Sequence, residues 1–262
     1  MEITPILKHS DSYDSLNFVH TQCACVYKKV GYTPLQVVKS FSAFLLPEEL
    51  ARCTYVGRLD PMAEGWMHVL WSGNMEEKGK IAASNKIYEI EVLFGLSTDT
   101  GDVLGLIKDT ISPENITEEQ MKEVVQTFVG SFTYPYPKYS SPNIKKTLQE
   151  NQNDTIKFQK GHISQIDFIS YVHVLKKDLE KEIRDKLSAC RMDGDFRLET
   201  IQEAWKYFFE HDTRETFLKI KLQIHCSSGT YMRTLAEELG KKTSSSSIAS
   251  SIKRIGITYC VE

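Results

Sequence analysis

Three short segments of the chain carry side chains whose types and spacing suit chemistry. The first is Gly57-Arg58-Leu59-Asp60-Pro61-Met62-Ala63-Glu64-Gly65. Glycines at both ends permit a tight loop with exposed backbone, and Asp-Pro favours a turn. A carboxylate on such a loop, just ahead of a strand, is presented rather than buried in a sheet. Read alone, the segment is also an ordinary Asx turn. The second is Lys86-Ile87-Tyr88, opening a strand, with Thr98-Asp99-Thr100-Gly101-Asp102 after it. Tyr88 shares a face with Ile90, Val92 and Phe94, and taken singly is a core or cross-strand aromatic. Asp99 and Asp102 could mimic a metal loop, but a strand-ending turn accounts for them. The third is Cys226-Ser227-Ser228-Gly229-Thr230-Tyr231-Met232-Arg233-Thr234-Leu235, an alternating strand running through a Ser/Gly turn into a helix. Arg233 falls in the first helical turn, where a cation gains nothing from the helix dipole. It is either a surface arginine or the partner of a carboxylate or phosphate.

Other chemistries lack their residues. Cys23-Ala24-Cys25 is too short for a zinc knuckle, and the seven histidines are scattered singly. No metal site is expected. The chain has no GxxxxGK[ST], GxGxxG or GxSxG, so a nucleotide cofactor and a serine-hydrolase elbow are not expected. No run approaches the ~18 apolar residues of a membrane span, and Met1 to Asn17 has no signal-peptide core. Six cysteines in 262 residues form no disulfide scaffold, which points to a reducing, cytoplasmic setting. At 41% hydrophobic and 26% charged residues, the chain reads as a globular protein with a substantial core.

The elements that must position these residues follow from hydrophobic period. Residues 1–20 have no sustained period and read as an N-terminal arm. Gln22 to Lys28 reads as a strand. Thr33-Pro34 is an N-cap with proline at the first helical position, and Leu35, Val38, Phe41, Phe44 and Leu45 share one helical face. Glu64 to Trp71 reads as a strand, Glu76 to Ser84 as a short helix, and Lys86 to Phe94 as an alternating strand. Thr117-x-x-Gln120 is a capping box opening a helix with Met121, Val124, Val125 and Phe128 inward. Ile163 to Leu175 is strand-like, Lys176 to Tyr207 charged with helical spacing, and Phe217 to Cys226 strictly alternating. Thr230 to Leu239 reads as a helix stopped by Gly240. Ser244 to Ser247 reads as a solvated loop. The class is α+β.

The formal net charge is −3, which argues against a uniformly basic nucleic-acid coat. Its distribution is uneven. Ser97 to Val125 holds seven acidic residues against two basic, while Phe217 to Glu262 holds seven basic against three acidic. Tyr134 to His162 holds five basic against two acidic. A local basic face on an acidic body is compatible with the total.

Taken in order, the three segments resemble the TruB family of pseudouridine synthases. That family's pattern is a GxxGxLDPxAxG loop, a KxY strand with TDTxD after it, and a CxxGTYIRxL strand-to-helix corner. Lys28-Lys29-Val30-Gly31-Tyr32-Thr33-Pro34 is similar to the family's KPxGxTS entry, and Pro135-Tyr136-Pro137-Lys138-Tyr139-Ser140-Ser141 to its PPxYSA segment. The resemblance spans roughly Val26 to Arg254. It implies a mixed, largely antiparallel central sheet with flanking helices, and isomerisation of a flipped-out uridine in RNA to pseudouridine without cofactor or metal. By the same resemblance Asp60 is the catalytic aspartate, acting on the ribose at C1′ or C2′, and Arg233 is its partner. Tyr88 stacks on the base, and Leu235 is an apolar wall. Tyr55, Gly57, Arg58, Lys86, Tyr231 and Lys28 complete the candidate substrate-binding set, with Lys86 serving either RNA phosphates or the structure.

The departures from the pattern are specific. Thr54 and Tyr55 stand where the family has Gly and His, Val56 replaces Thr, Arg58 replaces Thr or Ala, and Lys29 replaces Pro. Asn143 to Lys160 lacks the family's tyrosine and Ala-Arg features. Residues 176–216 form a charged helical insertion, a potential protein-docking surface, within a catalytic domain expected over 21–262. With eight residues after Arg254, no PUA domain is expected. The expected partner is RNA, with the T-loop uridine of tRNA as target. The alternatives are a synthase for another RNA, or a non-catalytic RNA-binding or folding factor with a remnant site.

Overall fold

The computed structural model describes residues 23–43, 53–71, 75–135, 158–191 and 197–258. The expected N-terminal arm, Phe44 and Leu45, and most of the Pro135 to Ser141 segment lie outside these residues. The described strands are β1 (Cys23–Lys28), β2 (Thr54–Val56), β3 (Ala63–Leu70), β4 (Asn85–Phe94), β5 (Gly130–Pro135), β6 (Phe158–Leu175), β7 (Thr216–Cys226) and β8 (Ser247–Thr258). The helices are α1 (Pro34–Ser42), α2 (Met75–Ala83), α3 (Glu118–Gln126), α4 (Lys176–Ser188), α5 (Leu198–His211) and α6 (Met232–Lys242).

All eight strands join one sheet in the order β1-β3-β8-β4-β7-β6-β5, with β2 also on β3. Every pairing is antiparallel except β3 with β8. The fold is thus α+β, with a mixed, largely antiparallel central sheet and flanking helices. Alternation sends side chains to two faces. On one face Ile90, Val92 and Phe94 of β4 pack with Leu222 and Ile224 of β7, Met121 and Val125 of α3, and Leu235 and Leu239 of α6. On the other, Leu93 packs with Leu179, Ile183 and Leu187 of α4 and Ile201, Trp205 and Phe209 of α5. The charged stretch is therefore two helices whose apolar stripes pack on this face of the sheet, with Glu182 and Lys186 also turned toward it. A smaller cluster seats α1 on β1 and β3 through Val37, Val38 and Phe41.

The local signals behave as their physics dictates. Thr33 and Thr117 both form capping boxes, with Gln36 and Gln120 respectively. Two readings are corrected. Gly240 does not stop α6, which continues to Lys242. Its role is close approach, since a Cβ there would lie 2.8 Å from the Ser247 backbone nitrogen. The serine run is not a solvated loop throughout: Ser246 and Ser247 are buried, and the Ser247 hydroxyl donates to the Ala236 carbonyl at 2.6 Å. The run carries the chain from α6 into β8, a strand hidden from sequence by its small polar residues.

Candidate active site

Asp60 stands on the connection from β2 to β3. Its carbonyl accepts from the Ala63 amide at 3.0 Å, closing a turn with Pro61 in the position that its fixed φ suits. Gly57 enters this loop at φ +72°, a conformation that favours glycine. The Asp60 carboxylate is partly exposed, and its Oδ2 lies 2.8 Å from Nε of Arg233, which is nearly inaccessible. Arg233 sits in the first turn of α6, where the dipole opposes it, and carboxylates hold it there. Asp102 Oδ2 is 3.8 Å from the same Nε, and Arg233 Nη1 donates to the Thr100 carbonyl at 2.9 Å. Burial alone would lower the Arg233 pKa. The charges of Asp60, Asp102 and Glu237 outweigh burial and raise it, so the guanidinium is a fixed cation.

Asp102 is buried at the loop after β4, accepting from the Thr100 hydroxyl at 2.7 Å and the Leu104 amide at 2.9 Å. Burial raises its pKa against the pull of Arg233 and these donors. Asp99 caps the same loop, taking the Leu106 amide at 2.8 Å and pairing with Arg197 at 2.9 Å. These two aspartates therefore build a loop and brace an arginine. Among the described residues no cluster of His, Cys, Asp and Glu has metal-binding geometry.

A cavity of about 300 Å³ opens at Asp60, with Arg233 outside its lining. Asp60, Tyr88, Gly57, Arg58, Lys86 and Tyr231 line it, together with Leu59, Ala63, Met232, Ile252 and the 227–230 turn. The size suits one small organic group held between apolar walls and a few polar atoms. Tyr88 is half-buried, and β4 sets it opposite Ile224 of β7 and Arg254 of β8, beside a β-bulge. Burial raises the phenol's pKa against the Arg254 guanidinium, to which it is hydrogen-bonded, so Tyr88 is neutral at pH 7. Tyr231 is set by Tyr134, whose hydroxyl takes the Tyr231 amide at 3.3 Å and whose ring meets it edge-on.

Four other candidates are placed differently from a substrate-binding role. Leu235 is 1% exposed within the core, and Met232 and Ile252 supply cavity wall instead. Tyr55 turns to the α1 side of β2, packed against the Val37 and Phe41 cluster, because alternation gives the other face to Val56. The Lys28 ammonium is fully buried and donates to the Lys29, Tyr32 and Pro61 carbonyls at 3.1, 2.7 and 3.3 Å. Lys86 borders the cavity, but its ammonium donates to the Ile81, Ala82 and Ser84 carbonyls at the C-terminal end of α2. That is the position where a cation satisfies orphan carbonyls. Burial lowers the pKa of Lys28 to about 7 and that of Lys86 to about 8.

Arg254 is the residue that sequence reasoning passed over. It is 1% exposed and donates from Nε to the Trp66 carbonyl at 2.6 Å and from Nη2 to the Gly57 carbonyl at 2.7 Å. It ties the Asp60 loop to β3 and β8 and meets Tyr88. The available signal was the Lys253-Arg254 pair inside an otherwise small and apolar stretch.

Comparison with known proteins agrees with this geometry. Residues 47–186 match the family profile of the TruB family pseudouridylate synthase N-terminal domain, a stretch that holds Asp60 and Tyr88 and ends before Arg233. A tRNA pseudouridine synthase B of Endomicrobium trichonymphae is 28% identical over 213 residues, covering 81% of this chain and 74% of that protein. One from Lactococcus lactis subsp. cremoris is 26% identical over 216 residues, covering 82% of this chain and 54% of that protein. The chain thus spans three quarters of the first relative and about half of the second. Among solved structures, a chain of a Cbf5-Nop10-Gar1 complex superposes with a TM-score of 0.53 at 13% identity, covering 88% of this chain and 47% of that one. That likeness is one of fold.

Proposed function

Because this chain belongs to the TruB family of pseudouridylate synthases, we propose that it isomerises a uridine in RNA to pseudouridine, with tRNA as the substrate. The observation that carries the reading is Asp60, which lines a cavity together with Tyr88 and is paired at 2.8 Å with a buried Arg233 outside the lining. The reaction breaks N1–C1′, turns the base and forms C5–C1′. The C5 proton is lost and N1 gains one, so atoms and oxidation level balance. A duplex or stacked loop hides C1′, and the uridine must leave its stack at a cost of a few kcal/mol.

Each group has work of a definite kind. Asp60 acts on the ribose, and the Arg233 guanidinium at 2.8 Å holds its carboxylate in place as the base closes the cavity and excludes water. Tyr88, neutral and held by Arg254, offers a ring face to the uracil and a hydroxyl near its edge. Gly57 and Arg58 border the mouth, where the exposed Arg58 side chain faces incoming phosphate. Residues 23–258 then act as one synthase domain, α4 and α5 included.

The test is a tRNA transcript incubated with wild type and with Asp60→Asn, then mapped by a pseudouridine-specific chemical adduct. Wild type should create a new site, and Asp60→Asn should create none while keeping its thermal transition. Equal conversion by both removes the role of Asp60. Tight tRNA binding by both with no conversion by either would replace catalysis with RNA binding or folding.

A further inference from the structure

We propose that the α4–α5 hairpin is a rear clamp on the active site, and that Trp205 is a positioning residue for the Asp60–Arg233 pair. Neither helix lines the cavity, so any influence on chemistry passes through the loops that do or that brace them. The hairpin grips the loop that carries Asp60 and the loop that braces Arg233.

The first grip is at the end of α4. The Arg191 amide donates to the Gly31 carbonyl at 2.9 Å, and the Gly31 amide donates to the Pro61 carbonyl at 2.9 Å. Gly31 has φ +86°, and a Cβ there would lie 2.2 Å from the Ala189 carbonyl oxygen, so the two backbones meet with no room between. Cys190 Sγ lies 3.7 Å from Met62 Sδ, with both residues buried. Pro61 and Met62 are the two residues after Asp60.

The second grip is on α5. Trp205, 2% exposed, donates from Nε1 to the Val103 carbonyl at 3.0 Å. Arg197, just before the helix, pairs with Asp99. Val103 directly follows Asp102, and the same loop offers the Thr100 carbonyl to Arg233. The clamp is also anchored to the sheet, since Glu182 of α4 takes Lys219 of β7 at 2.6 Å and Lys186 donates to the Ser250 carbonyl at 2.7 Å.

Two irregular loops must meet at one guanidinium, with carboxylates at 2.8 and 3.8 Å. A shift of about 1 Å at such a pair costs on the order of a hundredfold in rate. A single body touching both loops fixes their separation. This inference rests on the reading of Asp60 and Arg233 as the catalytic pair.

The experiment compares Trp205→Phe, which keeps a ring but removes the donor, with Ile201→Val on the same buried face. Ile201→Val trims core packing without a hydrogen bond to either loop, and both are assayed well below their melting temperatures. Trp205→Phe should lower kcat on tRNA roughly tenfold with KM within about twofold. Ile201→Val should match wild type. A second readout needs no substrate: the Nε–H NMR resonance of Arg233, assigned by its loss in Arg233→Lys. It should move in Trp205→Phe and stay in Ile201→Val. An unmoved Arg233 resonance in folded Trp205→Phe overturns the clamp, as does equal kcat in both variants when wild type is active. If wild type converts no RNA, the catalytic reading falls and the resonance alone decides whether the hairpin sets this pair.

Discussion

Four cationic side chains lie buried in and around this site: Lys28, Lys86, Arg233 and Arg254. Arg233 faces carboxylates, whereas the other three donate to backbone carbonyls, each a group that would be costly to bury unpaired. Cations so placed hold loops and helix ends, and their field falls on whatever titrates nearby. His68, buried on β3, is that group. Burial, then Arg254 and Lys86, lowers its pKa from 6.5 to about 4. The folded state therefore holds His68 neutral where the unfolded chain would take a proton. A depressed pKa of this kind gives stability that is complete above pH 6.5 and lost as pH falls through about 4. The full loss between pH 6.5 and about 4 is about 3 kcal/mol. Lys28 and Lys86 do not contribute in this window, since both are protonated below about pH 7 in either state. Denaturant unfolding at pH 7, 5 and 4 should show wild type losing more stability than His68→Gln. Parallel losses in the two proteins would remove His68 from the account.

At the scale of elements, the strands and helices with strong period were legible, because their spacing reflects which face is buried. The capping boxes at Thr33 and Thr117, the alternation of β4 and β7, and the strand-to-helix corner before Arg233 are of this kind. The Asp60 turn was legible as a turn, and its chemistry only through the resemblance. What stayed hidden depends on contacts distant in sequence. β8 is written in serine, isoleucine and glycine and gains its strand form from β4 on one side and β3 on the other. The orientation of Lys28, Lys86 and Tyr55 is decided by which carbonyl or cluster happens to lie within reach. Arg254 joins these two failures, a long-range residue on an unseen strand. Gly65, at φ +124°, would carry a Cβ 2.2 Å from the Arg254 carbonyl oxygen, so β3 and β8 close on each other here without slack. Arg254→Met keeps the stem and removes the donors, leaving the Trp66 and Gly57 carbonyls without that partner at about 1–3 kcal/mol each. The expected loss is about 3 kcal/mol, or a melting temperature lower by roughly 6–12 °C. A calorimetric transition within about 2 °C of wild type would mean that these carbonyls are satisfied otherwise.

For the whole molecule the question is how an acidic protein would hold the proposed RNA substrate. The net charge is −3, and the count by segment placed the basic excess in Tyr134 to His162 and Phe217 to Glu262. Burial changes that count. Of the seven cations after Phe217, Lys219, Arg233 and Arg254 are inside the protein. Lys221 pairs with Glu89, and Lys241 with Glu238. Three of the seven are thus internal scaffolding and two more are paired, so the exposed basic excess here is smaller than the count suggests. Affinity then leans on the flipped base and its cavity more than on counterion release. Each phosphate contact contributes about −0.7 to −0.9 to the slope of log K against log salt, so two to four contacts give roughly −1.5 to −3.5. Anisotropy titrations of labelled tRNA between about 50 and 300 mM KCl measure this directly. The segment 136–157 contributes Lys138, Lys145, Lys146 and Lys157 against Glu150 and Asp154. If its lysines touch the backbone, Lys145→Ala with Lys146→Ala flattens the slope by about 1 to 2 and weakens all RNA sequences alike. A wild-type slope of about −6 or steeper would contradict the shallow electrostatic footprint, and a flattening of that slope by about 1 to 2 in the double variant would assign two of the contacts to these lysines.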